Sequence, residues 1–99
     1  MIELERIVGF DWDSGNARKN DKHGVSQSEA EQVFFDPRLL TVPDRVHSAG
    51  EKRFHALGQS IEGRHLHITF TLRSRDTLIR VVSARDMHRK ERASYDRKD

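Results

Sequence analysis

The side chains best suited to chemistry in this sequence are arginines and histidines in its second half. Arg53 and His55 lie two residues apart, and Arg80 and Arg85 fall in and at the end of a later segment rich in β-branched residues. Arginine binds phosphate oxygens, and histidine titrates close enough to neutral pH to transfer protons. These residue types favour a phosphate-bearing partner. The alternative for His55 is a solvated ring on a polar sheet face.

Strand parity decides whether these side chains can meet. Arg53 and His55 share one face of a predicted strand. In a regular strand Arg80 and Arg85 point to opposite faces, so both reach one site only if the strand ends or bulges near Ser83. Otherwise one of the two arginines caps or braces the C-terminal helix.

Other polar residues have structural explanations that compete with a chemical one. Lys22 and His23 lie at a predicted helix end, where cations interact favourably with the helix dipole. His65 and His67 alternate along a strand, but no third metal ligand is evident, and we predict no metal and no cofactor. In the loop before Glu51, a carboxylate and an imidazole could act together, although turn formation explains the carboxylate equally well. These two loop residues are Asp44 and His47.

Hydrophobic spacing predicts the elements that must position these groups. A short apolar segment at 7–12 indicates a first strand, and a polar helix follows from about 13 to 22. Ser26 and Glu29 form a capping box for a second helix, which ends at 36–37.

Beyond this point the apolar spacing changes to two, which is typical of strands. The predicted strands span 39–42, 53–59, 65–73 and 77–85, with Pro43 and Asp44 ending the first of them. A charged helix follows at 88–98. We therefore predict an α+β fold with two N-terminal helices, an antiparallel sheet and a C-terminal helix.

Composition limits the size and class of the protein. The chain has 99 residues, 34% of them apolar and 34% charged, so we expect one domain over 1–99 with a small core. The absence of cysteine excludes disulfides and thiolate metal sites. No apolar run approaches the roughly 20 residues of a membrane span, and no signal peptide is evident. We expect a cytoplasmic protein that does not bind membranes.

Three stretches resemble the BrnT family: FDWD at 10–13, KHGVS at 22–26 followed by Glu29 and Ala30, and RVVSARDMHRKER at 80–92. Further matches in order and spacing are GEKRF at 50–54, Gly58, Gly63 with Arg64, and Tyr95. The resemblance covers nearly the whole chain. It implies a RelE-like fold, in which a twisted antiparallel sheet carries helices. It also implies a ribonuclease toxin that cuts RNA without a metal, inhibits translation and is neutralised by a ribbon-helix-helix antitoxin of the BrnA type, which alone binds operator DNA.

Metal-free RNA cleavage needs a base for the ribose 2′-hydroxyl, cations for the phosphorane and a proton donor for the 5′-oxygen. With the resemblance as support, we predict Arg80 and Arg85 as charge stabilisers and His55 or Lys22 as the proton-transfer group. The remaining predicted residues are Arg53 and His23 in the catalytic site, and Arg89, Arg92 and Tyr95 as RNA contacts on the last helix. For the helix residues, a solvated face with ion pairs or a docking face for the antitoxin is the alternative. The rival function is a noncatalytic RNA-binding or protein-interaction module.

Overall fold

One mixed sheet, three α-helices and a short 3₁₀ helix at Leu4–Arg6 form the part of the protein that the computed structural model describes, namely residues 2–21, 23–47 and 50–97. The strands are β1 (Gly9–Phe10), β2 (Leu40–Asp44), β3 (Arg53–Gln59), β4 (His65–Arg73) and β5 (Leu78–Asp86). The helices are α1 (Ser14–Asp21), α2 (Gln27–Val33) and α3 (Arg89–Asp96). The strand order is β1-β5-β4-β3-β2, and the fold is α+β. No helix in the described ranges is long and apolar enough to cross a membrane.

The first strand departs from the prediction in length and direction. It spans two residues rather than 7–12, and it runs parallel to β5, so the sheet is mixed and not purely antiparallel. The strand is short because the Asp13 side chain accepts hydrogen bonds from the backbone of Gly15 and Asn16 and starts α1 at once. The Asn16 side chain then donates to the Val81 carbonyl, which fixes α1 against β5.

The prediction that Pro43 ends a strand is wrong, because β2 continues through Pro43 to Asp44. A proline lacks an N–H group and is tolerated where a strand lies at the sheet edge. β2 is such an edge strand, since β3 is its neighbour on one side and no described strand lies on the other. The extra residues bring Asp44 opposite Arg53 in the β2–β3 register.

The predicted capping box of α2 is confirmed. The Ser26 hydroxyl accepts from the Glu29 backbone at 3.0 Å, and the Glu29 carboxylate accepts from the Ser26 backbone at 3.1 Å. The helix buries Val33 against β3, where a Cβ atom at Gly58 would lie 2.9 Å from a Val33 methyl group. A side chain at position 58 would therefore push α2 away from the sheet.

The sheet has one apolar and one polar face. The apolar face packs against α2 and contributes most of the core: Ala56, Leu66, Ile68, Phe70, Ile79, Val81 and Ala84. On the opposite face, polar side chains alternate along β3 and β4. In β5 the register steps from Phe70↔Val81 to Thr69↔Ser83, which is the bulge near Ser83 that a shared face for Arg80 and Arg85 requires. Arg80 and Arg85 consequently lie on the same polar face.

Candidate active site

An open hollow of about 490 Å³ lies on the polar face of the sheet. Its polar lining comes from β3, β4, β5 and the first turn of α3: His55, His67, Thr69, Arg85 and Glu91. Val42 and Leu57 complete the wall. Of the residues predicted from the sequence, His55 and Arg85 are thus brought to one cavity.

His55 is held at both ring nitrogens. Its Nε2 lies 2.8 Å from Oδ2 of Asp44, and its Nδ1 lies 3.0 Å from the Thr69 hydroxyl. The other oxygen of Asp44 accepts from the backbone N–H groups of Val46 and His47, each at 3.0 Å. The N–H of His47, followed by the bond to His55, holds the pKa of Asp44 well below its usual range. Asp44 is therefore a carboxylate at neutral pH.

His67 lies beside His55, with ring centroids 4.8 Å apart. Its Nε2 is 3.7 Å from Glu91, whereas its Nδ1 is buried and has no hydrogen-bond partner among the described residues. Burial, and then the nearby charge of Arg85, lowers the pKa of His67 to about 4. His67 is therefore a neutral ring at physiological pH.

Arg85 and Glu91 form a bidentate ion pair at the rim of the hollow. Both terminal nitrogens of Arg85 lie 2.8 Å from the Glu91 oxygens. Glu91 also accepts from the His88 backbone at 2.8 Å, and the bonds from Arg85 and then His88 lower its pKa to about 2. Arg85 thus braces the start of α3 while it lines the hollow.

Arg80 shares the face but does not line the hollow. One of its terminal nitrogens lies 3.0 Å from Asp13, and the other lies 3.6 Å from Asp11. Both carboxylates belong to the FDWD motif, so the motif and Arg80 form one cluster beside α1. The structure separates the two arginines that the sequence ranked together.

Arg53 occupies the same face, two residues from His55 on β3. In the sheet register it lies opposite Asp44 on one side and Thr71 on the other, and Arg80 follows beyond Thr71. The Thr71 hydroxyl is buried and has no partner in the described part of the chain. A row of two arginines separated by a threonine therefore runs across the sheet next to the hollow.

The predicted pair Lys22 and His23 does not contribute to this hollow. Lys22 lies outside the described residues. His23 is exposed and does not line the hollow, and its carbonyl accepts from Arg64 at 3.3 Å. Arg64 in turn pairs with Asp86 at 2.8 Å. His23 therefore belongs to a cluster around Arg64.

The three residues predicted on α3 divide into two kinds. Arg89 and Arg92 are exposed, and Arg92 pairs with Asp96 at 3.4 Å. Tyr95 is only 1% exposed, and its hydroxyl donates to Asp36 at 2.5 Å. Burial and this bond raise the pKa of Tyr95 to about 12. The ring anchors α3 to the body of the protein, which leaves it no surface for RNA.

Sequence reasoning left four residues around the hollow without a chosen role. The sequence offers His67 only as half of a possible metal pair, gives no signal for Thr69 beyond its position in an alternating strand, and explains Asp44 equally well by a turn. Nothing in the local spacing connected Glu91 to Arg85, because that contact depends on where α3 packs. In the described ranges, no group of three or more His, Cys, Asp or Glu side chains could hold a metal ion.

Comparison with known proteins gives one family. Residues 12–91 match the family model described as ribonuclease toxin, BrnT, of type II toxin-antitoxin system. The matched segment contains every residue that lines the hollow. No curated protein matches the chain.

Proposed function

Because the chain belongs to the BrnT family of ribonuclease toxins from type II toxin-antitoxin systems, we propose that it cleaves RNA without a metal ion in the hollow between His55 and Arg85. One observation carries this proposal. A ring suited to proton transfer and a guanidinium suited to phosphate face one open cavity, although they come from different strands.

His55 is the proposed proton-transfer group, and Arg85 is the proposed stabiliser of the phosphorane. The bonds from Arg85 to Glu91 and to the Asp86 carbonyl use three of its five N–H groups. The remaining two can bind phosphate oxygens without release of Glu91, so the ion pair orients the guanidinium. The expected product ends are a cyclic phosphate or a 3′-phosphate.

The other predicted cations surround this centre. Arg53 acts at longer range along the same face, where it attracts the RNA backbone. Arg80 is held by the two carboxylates of the FDWD motif and is assigned to positioning that motif beside α1. Arg89 and Arg92 are exposed on α3 and are proposed phosphate contacts, whereas Tyr95 is assigned to anchoring the helix.

The family also implies an antitoxin partner and an RNA target. We propose that the antitoxin is a ribbon-helix-helix protein, that operator DNA is reached only through it, and that RNA cleavage inhibits translation in the cytoplasm. The fold is proposed to be RelE-like, with 1–99 as one domain.

The test is cleavage of RNA by purified, antitoxin-free protein in the presence of EDTA. We expect fragments with a cyclic phosphate or a 3′-phosphate, and we expect His55→Ala to remove the activity. The control is Arg6→Ala, which removes an exposed arginine that does not line the hollow. Intact RNA at a large excess of wild-type protein would contradict the proposal.

A further inference from the structure

We propose that Asp44, His55 and Thr69 form a proton relay. Thr69 passes the proton of the 2′-hydroxyl to Nδ1 of His55, and Asp44 positions the ring by fixing its tautomer. This inference rests on the ribonuclease function proposed above, and it assigns roles to Asp44 and Thr69.

The tautomer follows from the partner of each ring nitrogen. Oδ2 of Asp44, 2.8 Å from Nε2, belongs to a carboxylate that only accepts hydrogen bonds. Nε2 must therefore carry a hydrogen, and in the neutral ring Nδ1 carries the lone pair. The partner of Nδ1 at 3.0 Å is the Thr69 hydroxyl, which consequently donates. His55 is prepared to receive a proton at the nitrogen nearest to Thr69.

The two carboxylate oxygens of Asp44 have separate tasks. Oδ1 accepts from the backbone of Val46 and His47 and holds the loop after β2. Oδ2 accepts from His55 at 2.8 Å and lies 3.2 Å from the exposed ring of His47. Asp44 is 9% exposed, so its charge is stabilised mainly by these protein donors. A substitution that changes Oδ2 alone would disturb the ring and leave the loop bonds in place.

The charged and titratable groups that face His55 come from several elements. They are Asp44 on β2, His47 in the following loop, His67 on β4, and Arg85 and Glu91 across the hollow. His67 is neutral, and Arg85 is paired with Glu91. The charge in direct contact with the ring is therefore the carboxylate of Asp44, 2.8 Å from Nε2, which stabilises an imidazolium at His55 once the proton arrives.

The 2′-hydroxyl gives its proton to the Thr69 oxygen while the Thr69 proton moves to Nδ1 of His55. The 2′-oxygen forms a bond to phosphorus, and the bond from phosphorus to the 5′-oxygen breaks. The 5′-oxygen takes a proton from water, and His55 later returns its proton to solvent. Thr69 is unchanged at the end.

Four variants test the relay by single-turnover cleavage of an RNA oligonucleotide. Thr69→Val keeps the shape but removes the hydroxyl, and Asp44→Asn keeps an acceptor for the loop but places an amide at Oδ2. We expect each to lower kcat by about 10²-fold with little change in KM. Thr69→Ser restores the hydroxyl and should stay within about tenfold of wild type. Thr41→Val is the matched control, because it makes the same change on β2 at a position that does not line the hollow.

A second measurement does not depend on cleavage. The ¹⁵N chemical shifts of the His55 ring should show a hydrogen on Nε2 in the wild type and on Nδ1 in Asp44→Asn. Wild-type protein that does not cut RNA would overturn the ribonuclease function and the relay with it. Active wild type together with an equally active Thr69→Val, or with a hydrogen on Nδ1 of the neutral ring, would overturn the relay alone.

Discussion

Strand β4 shows on its two faces how one element can serve two purposes. On the apolar face Leu66, Ile68 and Phe70 are fully buried against α2 and neighbouring strands. On the other face His67 and Thr71 are nearly as buried, yet each retains a polar atom without a partner among the described residues. Burial of an unpaired polar atom costs stability. The apolar face is therefore optimised for folding, whereas the polar face is not.

The largest expected effect is on the apolar face. Phe70→Ala should lower the free energy of unfolding by about 3–5 kcal/mol, because the ring is fully buried and contacts Phe34 and Phe54. Urea denaturation followed by circular dichroism measures this loss. Thr71→Val, at the next position on the polar face, is the matched control and should be neutral or stabilising. A loss below about 1 kcal/mol in Phe70→Ala would place the core elsewhere.

The next effect separates the two arginines of β5. Arg85→Ala should lower kcat for RNA cleavage by about 10²- to 10³-fold, because it removes the guanidinium that lines the hollow. Arg80→Ala removes a guanidinium paired with Asp13 and should cost no more than about tenfold. Single-turnover rates measure both, and denaturation checks that each variant is folded. A larger loss in Arg80→Ala than in Arg85→Ala would move the active site toward α1.

The smallest expected effect is a pH dependence of stability that originates on the polar face. Burial lowers the pKa of His67 from 6.5 to about 4, so in this interval the unfolded chain binds a proton that the folded protein does not. Stability is therefore nearly complete at pH 7.5 and falls as the pH decreases toward 4, by about 1.3 kcal/mol at pH 5.5. In His67→Gln this part of the decrease should disappear. Denaturation at pH 7.5 and 5.5 gives the free energy of unfolding of both proteins at each pH. An equal decrease in the two proteins would show that His67 is not buried as a neutral ring.

Local patterns in the sequence predicted those parts of the fold that local physics determines. The capping box at Ser26 and Glu29 is confirmed because both of its bonds lie within four residues. The alternation along β4 divides its side chains between the core and the face that carries the hollow, because successive side chains of a strand point to opposite faces of the sheet. Strand parity makes a shared face for Arg80 and Arg85 depend on a bulge near Ser83, and the register shift provides one.

Contacts between distant segments could not be predicted in this way. The parallel pairing of β1 with β5 joins residues about 70 positions apart, and no short-range pattern encodes it. Tyr95 was expected to contact RNA, but the position of α3 buries it on Asp36. The contact between Asp44 and His55 depends on the continuation of β2 past Pro43, which the sequence pattern does not indicate.

Glu91 connects the last helix to the chemistry of the hollow. Its carboxylate accepts hydrogen bonds from the backbone of His88 at the N-terminus of α3 and from both terminal nitrogens of Arg85. If the first turn of α3 opens, Arg85 loses the carboxylate that holds both of its terminal nitrogens. Under the proposed ribonuclease function, the fraction of time spent in the reactive geometry is then at most the fraction in which this turn is helical. A molecule that stabilised or unfolded this turn would then change the rate of the proposed cleavage without entering the hollow.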